Sequence, residues 1–340
     1  MEKIKKTQLK YYHYLIFSGV MWGFTPLIYK KSLLFTSIFG LLIFKYFFGA
    51  ALLFTINHKK YVKIPSKYWT TIAAFVLIGV LLPSFLYPLG LSKTSALHAS
   101  FISLAFPFFV YIFASIFLKD TIHKKVIIGS LFASIGLIII ILFGSSSSLK
   151  VSNSSSLSGD LIMLASQFFA ASGIVFSRKL LVKNNVMPPE QLAFFEYLFA
   201  FCGYLIMALI FSQNIYYDLS SLSSLFWLIM LVTFAGSIPI VLYYKSVKHL
   251  PAERVPDVNF VSPLVGSFVA VSLLNDSVSP AFILGAFILF IGLLFSNNKL
   301  HPLIWGTHLH QKERSLINKV LDIEKSIVKK SKAIYYDIIP

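Results

Sequence analysis

The sequence predicts an all-α polytopic membrane protein, with ten transmembrane helices arranged as two inverted-topology five-helix repeats. Three observations carry this expectation. The 340 residues are 57% hydrophobic and 13% charged, where a soluble domain carries about 25% charged residues. Apolar runs able to cross ~30 Å of hydrocarbon recur along the chain, at approximately 13–29, 33–55, 68–90, 94–118, 125–143, 159–180, 190–211, 224–246, 255–274 and 280–297. The chain also repeats itself. A shift of 156 residues lays Pro83 on Pro239, Tyr87 on Tyr243, Ala96 on Ala252, Pro107 on Pro263, Asp120 on Asp276, Gly129 on Gly285 and Gly136 on Gly292.

Taken in order, the first span follows a basic leader of Lys3, Lys5, Lys6 and Lys10. No small-residue cleavage site follows its apolar run, which ends at Lys30 and Lys31, so it is expected to be a retained helix rather than a signal peptide. The second span holds Lys45 within "FKY", and the seventh holds Glu196 within "FEY" at an offset of 151. The fourth span, Thr94 to Leu118, contains no charged residue but carries Pro107 near its centre, and Pro263 stands at the equivalent place in the ninth. An interior proline removes a backbone hydrogen bond and clashes with the carbonyl four residues back, at about 3 kcal/mol. Both helices are therefore expected to break near the midplane, freeing the carbonyls of Ser103 and Asn259. Broken backbone at that depth is tolerated where it is buried in protein or lines a wet cavity; simple bending to fit the bundle is the alternative.

The halves are 1–143 and 159–298, joined by a serine-rich linker at 144–158 and followed by a tail at 299–340. Five is odd, so the second half must enter the membrane from the opposite side. Inverted repeats of this kind are shared by many secondary transporters, which bind substrate near the midplane between them. Charge orients the whole. Of the 30 basic residues, 25 fall in segments on the N-terminal side of the membrane and only Lys30, Lys31, Lys93 and Lys150 on the other. Positive segments stay inside, so both termini are expected in the cytoplasm of a bacterium, with the protein multi-pass in its inner membrane. The net charge of +17 is explained by this topology and not by nucleic acid. Cys202 is the one cysteine, so no disulfide or cysteine-based metal site forms within one chain.

Ten spans in two halves, an early "MWG" at Met21–Gly23, and "SALHASFISLAFPFF" followed by "FLKD" and "GSLFASIGLIII" resemble the drug/metabolite transporter superfamily, particularly its EamA-like branch. Asp120 and Asp276 stand where that family often has Glu. The resemblance covers about residues 13–298. It implies a ten-helix transporter, commonly an exporter or exchanger of small polar metabolites such as amino acids. The richness in Phe, Ile and Lys fits an AT-rich genome of a host-dependent bacterium, where a relative would import a host metabolite. S-adenosylmethionine is a specific candidate implied by such relatives.

The candidate substrate cavity comprises Trp22, Lys45, Tyr87, Ser103, Pro107, Gln167, Glu196, Tyr243, Asn259 and Pro263, with Thr25 and Tyr29 as further polar groups of the first span. Lys45 and Glu196 are the deepest charges, and an intramembrane charge is costly enough to imply a function. Their equivalence in the repeat predicts that they approach each other, as a structural ion pair or as substrate- or proton-binding groups; snorkelling of Lys45 is the third reading. Arg254 and Asp257, beside His249 and Glu253, form a candidate cytoplasmic gate. His98 is expected as a gate or surface residue near the outer face. Asp120 and Asp276 invite comparison with a membrane aspartyl protease, but the topology places them on opposite faces, too far apart to share a reaction. Capping or local pairing, such as Asp120 with Lys124, is expected instead. In the tail, Leu316, Val320, Ile323 and Ile327 at helical spacing among lysines read as an amphipathic helix on the anionic inner leaflet.

No metal signature, nucleotide loop or nucleophile motif is present, so no cofactor, metal or catalytic residue is expected. The expected partners are a small-molecule substrate and the lipid bilayer, with a homodimer left open and nucleic acid excluded. Competing classes are a membrane-embedded enzyme on lipid-linked substrates, which needs acids or ligands clustered on one face, and a scaffold acting through its tail.

Overall fold

The computed structural model describes residues 2–113, 116–117, 124–143, 157–250 and 258–296. Linker residues 144–156, Asp120, Arg254, Asp257, the Asn259 side chain and the tail lie outside the described residues. Among these residues every regular element is helical, apart from one isolated antiparallel bridge between Thr36 and Tyr217. Five continuous helical stretches are long and apolar enough to cross a membrane: Ile38–Lys60, Ser66–Leu91, Leu157–Lys183, Pro189–Ile210 and Leu222–His249. Shorter apolar helical stretches run over Ala96–Val110, Leu131–Phe143, Val261–Leu274 and Pro280–Gly292.

The first apolar run is two helices, α1 (Glu2–Gly23) and α2 (Thr25–Ser32), parted at Phe24, with Pro26 in the first turn of α2. There the missing proline N–H costs nothing, because helix starts leave those donors unpaired anyway. Helix α3 (Ile38–Asn57) is capped by Ser37, whose hydroxyl accepts from Gly40 N–H at 3.1 Å. A basic loop leads to α4 (Trp69–Val76), a π-helical segment at Leu77–Leu81 and α5 (Leu82–Leu91). Capped by Ser95, α6 (Ala96–Ile102) gives way to a 3-10 turn at Ser103–Ala105 and then α7 (Phe106–Phe113). The first half ends with α8 (Lys124–Phe143). The second half runs α9 (Leu157–Arg178), α10 (Pro189–Ile210), α11 (Leu222–Val232), a π segment at Thr233–Ser237, α12 (Ile238–His249), α13 (Val258–Leu274) and α14 (Pro280–Ser296).

Packing follows the repeat. Equivalent helices meet directly, α3 with α10, α6 with α13 and α8 with α14, and the α5–α9 contact is matched by α1–α12. Glycines set the closest approaches. A side-chain carbon on Gly173 of α9 or on Gly79 of the first π segment would run into the other's backbone, and Gly136, Gly285 and Gly292 have the same relation across α8 and α14. The largest core surrounds Tyr46, Tyr197, Tyr204 and Phe75. Outward faces are apolar, with Leu131, Phe132, Ile135, Ile283, Leu284 and Phe287 exposed on α8 and α14, as hydrocarbon requires.

The expected pair of proline breaks is corrected in one half. Pro107 falls in the first turn of α7, after the 3-10 turn that ends α6, so the break is real there; Ser103 Oγ donates to Ser100 O at 2.6 Å and tightens it. Helix α13 runs through Pro263 without interruption. The symmetric irregularity sits in other helices. Leu77–Leu81 and Thr233–Ser237 are both π-helical and are related by the same offset of 156. Each is followed by a proline, Pro83 or Pro239, in the first turn of the next helix, which withholds the N–H that would meet the carbonyl of Gly79 or Ala235. Such bulges bend helices and recur at functional sites.

Candidate functional site

Between the halves lies a cavity of about 300 Å³, at the lower end of the range for small-molecule sites. It is walled by α1 and α2 (Trp22, Gly23, Thr25, Pro26, Tyr29), by α3 (Lys45, Tyr46), and by both π segments with the helices after them (Gly79, Val80, Pro83, Ser84, Tyr87 and Ala235, Gly236, Ile240, Tyr243, Tyr244). The α6 segment adds Ala99, Ser100 and Ser103, α9 adds Ser166, Gln167 and Gly173, α10 adds Glu196 and Tyr197, and α13 adds Ser262 and Pro263. Of the ten candidate residues, eight therefore meet at one space. Pro107 is not among its walls, because the turn before it directs Ser103 and Phe106 there instead.

Lys45 and Glu196 share this cavity but do not close on each other, which corrects the expected ion pair. Lys45 is 8% exposed. Its ammonium donates to Tyr29 Oη at 3.0 Å and lies 4.9 Å from the ring centre of Tyr46, 5.5 Å from Tyr29 and 6.0 Å from Tyr197. Electron-rich ring faces stabilise a cation out of water. Glu196 Oε2 accepts from Tyr244 Oη at 2.6 Å. An ammonium and a carboxyl group are thus each held by tyrosine, on opposite partners of the α3–α10 contact. Tyr46, Tyr197 and Tyr244 were not expected, although Tyr46 and Tyr197 are the third letters of "FKY" and "FEY"; the matching triplets carried that signal.

Span one contributes to two aromatic pairs: Trp22 lies 5.1 Å from Tyr243, and Tyr29 lies 5.3 Å from Tyr87 in edge-to-face geometry. The first π segment and the turn after it are held by hydroxyls from neighbouring helices, Tyr204 Oη donating to Leu81 O at 2.6 Å and Ser166 Oγ to Pro83 O at 2.9 Å. Backbone irregularity at the cavity is thereby supported from behind.

Two polar clusters lie at the ends of the bundle. At one, Glu190 in the first turn of α10 pairs with Lys245 at 3.2 Å and Lys60 at 3.6 Å, and the Gln191 amide exchanges two hydrogen bonds with the backbone of Val62 at 2.7 and 2.9 Å. At the other, His98, expected as a gate or surface residue, is corrected in the surface alternative alone. It is buried, with Nδ1 2.9 Å from Asp160 Oδ2, while Thr94 Oγ1 donates to Asp160 Oδ1. Asp276 Oδ2 accepts from Leu97 N–H at 2.8 Å. Burial raises its carboxyl above the usual carboxylate range, against the Leu97 N–H and the Lys30 ammonium, which lower it. Both clusters join residues far apart in sequence, which neither spacing nor the repeat reveals.

An all-helical protein with spanning apolar helices around a central, charge-bearing cavity is built as a membrane transporter. The chain belongs to the EamA-like transporter family, whose family model matches residues 9–142 and 157–298 as two copies. No curated protein matches it. Among solved structures 28 chains match. One of them, described only as a crystal structure of a protein, is 17% identical with a TM-score of 0.59 over 83% of this chain and 94% of that one. That likeness concerns the fold.

Proposed function

We propose that this chain is a secondary transporter of a small polar organic metabolite, an amino acid or related zwitterion, working by alternating access across a bacterial inner membrane. Ten spans in two inverted halves, with both termini inside, are part of this reading. One observation carries the substrate class. Lys45 and Glu196 occupy one cavity, each satisfied by tyrosine rather than by the other, so a ligand bearing a carboxylate and an amine can bridge them. Buried charges that already neutralised each other would offer less to such a ligand. The Thr25 hydroxyl, buried without a hydrogen-bond partner, supplies a further polar contact.

Uptake of labelled amino acids into proteoliposomes, with and without counter-substrate inside, tests the reading. Accelerated exchange of a zwitterion supports it. Absence of flux with every amino acid, alongside turnover of a lipid-linked substrate, would sink it in favour of the enzyme class. S-adenosylmethionine belongs in the panel because the Trp22–Tyr243 pair offers stacking surface to its base.

A further inference from the structure

We propose that His98, with Asp160 on its ring, Asp276 on the adjoining Leu97 N–H and Lys30 beside Asp276, is a proton-binding site whose occupancy holds this end of the bundle shut. The four groups come from separate elements: His98 from α6, Asp160 from the first turn of α9, Asp276 from the turn between α13 and α14, and Lys30 from α2. The His98 and Asp160 side chains are only 4% and 1% exposed. Asp276 is placed by a left-handed residue, Asn275 at φ 55°, and by its own N–H donating to Ala270 O at 3.1 Å. Its Oδ1 is buried with no hydrogen-bond partner. Phe282 of α14 covers the imidazole at 5.5 Å, and Lys93 packs its backbone on Gly159 just before Asp160.

The chemistry selects one nitrogen. Asp160 already accepts the Thr94 hydroxyl, so as a carboxylate it accepts from His98 as well, and Nδ1 keeps its hydrogen in both states of the ring. The proton therefore comes and goes at Nε2. With both carboxylates ionised and His98 neutral, the four groups carry one net negative charge; protonation brings them to zero. A buried uncompensated charge is unfavourable, so the proton strengthens the attachment of α6 to α9 and to the α13–α14 turn. As pH rises the imidazolium is lost and that attachment weakens. Ala99 and Ser100 on the same α6 wall the cavity, so release of the site frees a cavity wall. The inference goes beyond the transport reading and rests on it only for calling this end the outer one.

The test needs no substrate, so its failure is separate from failure of that reading. The full chain in nanodiscs, with Cys202→Ser, would carry spin labels at Ser92→Cys and Val278→Cys, both exposed positions. Electron–electron distances would be measured at about pH 5.5 and pH 8. A short-distance population that falls at least roughly threefold at the higher pH is expected. His98→Gln, which keeps an amide donor but cannot take up a proton, is expected to abolish the response. An unchanged distribution in the parent, or an undiminished response in His98→Gln, overturns the proposal. Should His98→Gln fail to fold, Asp276→Asn replaces it: a weaker acid-closed population supports the site, and an unaltered response overturns it.

Discussion

Lys45 is the residue on which most of the cavity's chemistry converges, since three tyrosines from α2, α3 and α10 surround its ammonium. Removing one member of a desolvated charged set typically costs ~2–5 kcal/mol, much of it from the partner left behind. Lys45→Met is therefore expected to lower uptake of a zwitterion by about a hundredfold or more, with the protein still in the membrane. Initial rates normalised to purified protein check this; wild-type rates in Lys45→Met would return the lysine to a purely structural role. Tyr29→Phe is milder because it deletes one hydrogen bond to a charge, worth ~1.5–3 kcal/mol, and leaves the ring. A rise in KM of roughly ten- to 150-fold is expected, about what that energy corresponds to, and an unchanged KM would show that the Tyr29 hydroxyl does not position the cation. The sequence made Lys45 and Glu196 conspicuous because charge within an apolar run is costly. It left Tyr46, Tyr197 and Tyr244 hidden among 17 tyrosines.

Helix by helix, the glycines separate packing from transport. Gly136 and Gly285 let α8 and α14 touch backbone to backbone, and neither helix contributes to the cavity wall. Gly136→Leu is expected to overpack that contact by about 1–3 kcal/mol, lowering the melting temperature by several degrees while the surviving protein keeps its KM. Gly173 has the same kind of contact with Gly79, but both wall the cavity. Gly173→Val is therefore expected to change the KM as well as the melting temperature. Identical kinetics in the two folded variants would contradict the distinction. The repeat exposed Gly136 and Gly285, matched to Gly292 and Gly129 at offset 156, because identical residues recur where the same close approach is needed twice; Gly79 and Gly173 have no glycine counterpart at that offset and stayed hidden. It also located the prolines but not their consequence. Whether a proline breaks a helix depends on where that helix starts, so Pro107 sits harmlessly in a first turn, α13 absorbs Pro263, and the matched irregularity lies at the two π segments. A π bulge is set by tertiary contacts such as Tyr204 on Leu81, and no local pattern announces it.

At the scale of the whole molecule, the family membership and the matched packing of the two halves make orientation the property on which the remaining reading turns. The segment with Lys59, Lys60, Lys63 and Lys67 and the loop with Tyr216, Tyr217 and Asp218 flank α3 and α10 at opposite ends. The second loop is pinned to the α2–α3 turn, Thr36 Oγ1 donating to Tyr216 O at 2.7 Å and Asp218 N–H to Phe35 O at 2.8 Å. Only one of the two ends can face the cytoplasm, and the lysine-rich end is the one that the anionic leaflet and the insertion bias favour. Lys63 and Ser220 are exposed on those two ends. In a Cys202→Ser background, a membrane-impermeant maleimide applied to intact cells is expected to label Ser220→Cys readily and Lys63→Cys only after permeabilisation. The opposite pattern would invert the protein, placing His98 and Asp276 at the cytoplasmic face and Glu190 with Lys245 outside. The cavity would be unchanged by that inversion, because residues of both halves line it, but the proton site would then respond to cytoplasmic rather than external pH.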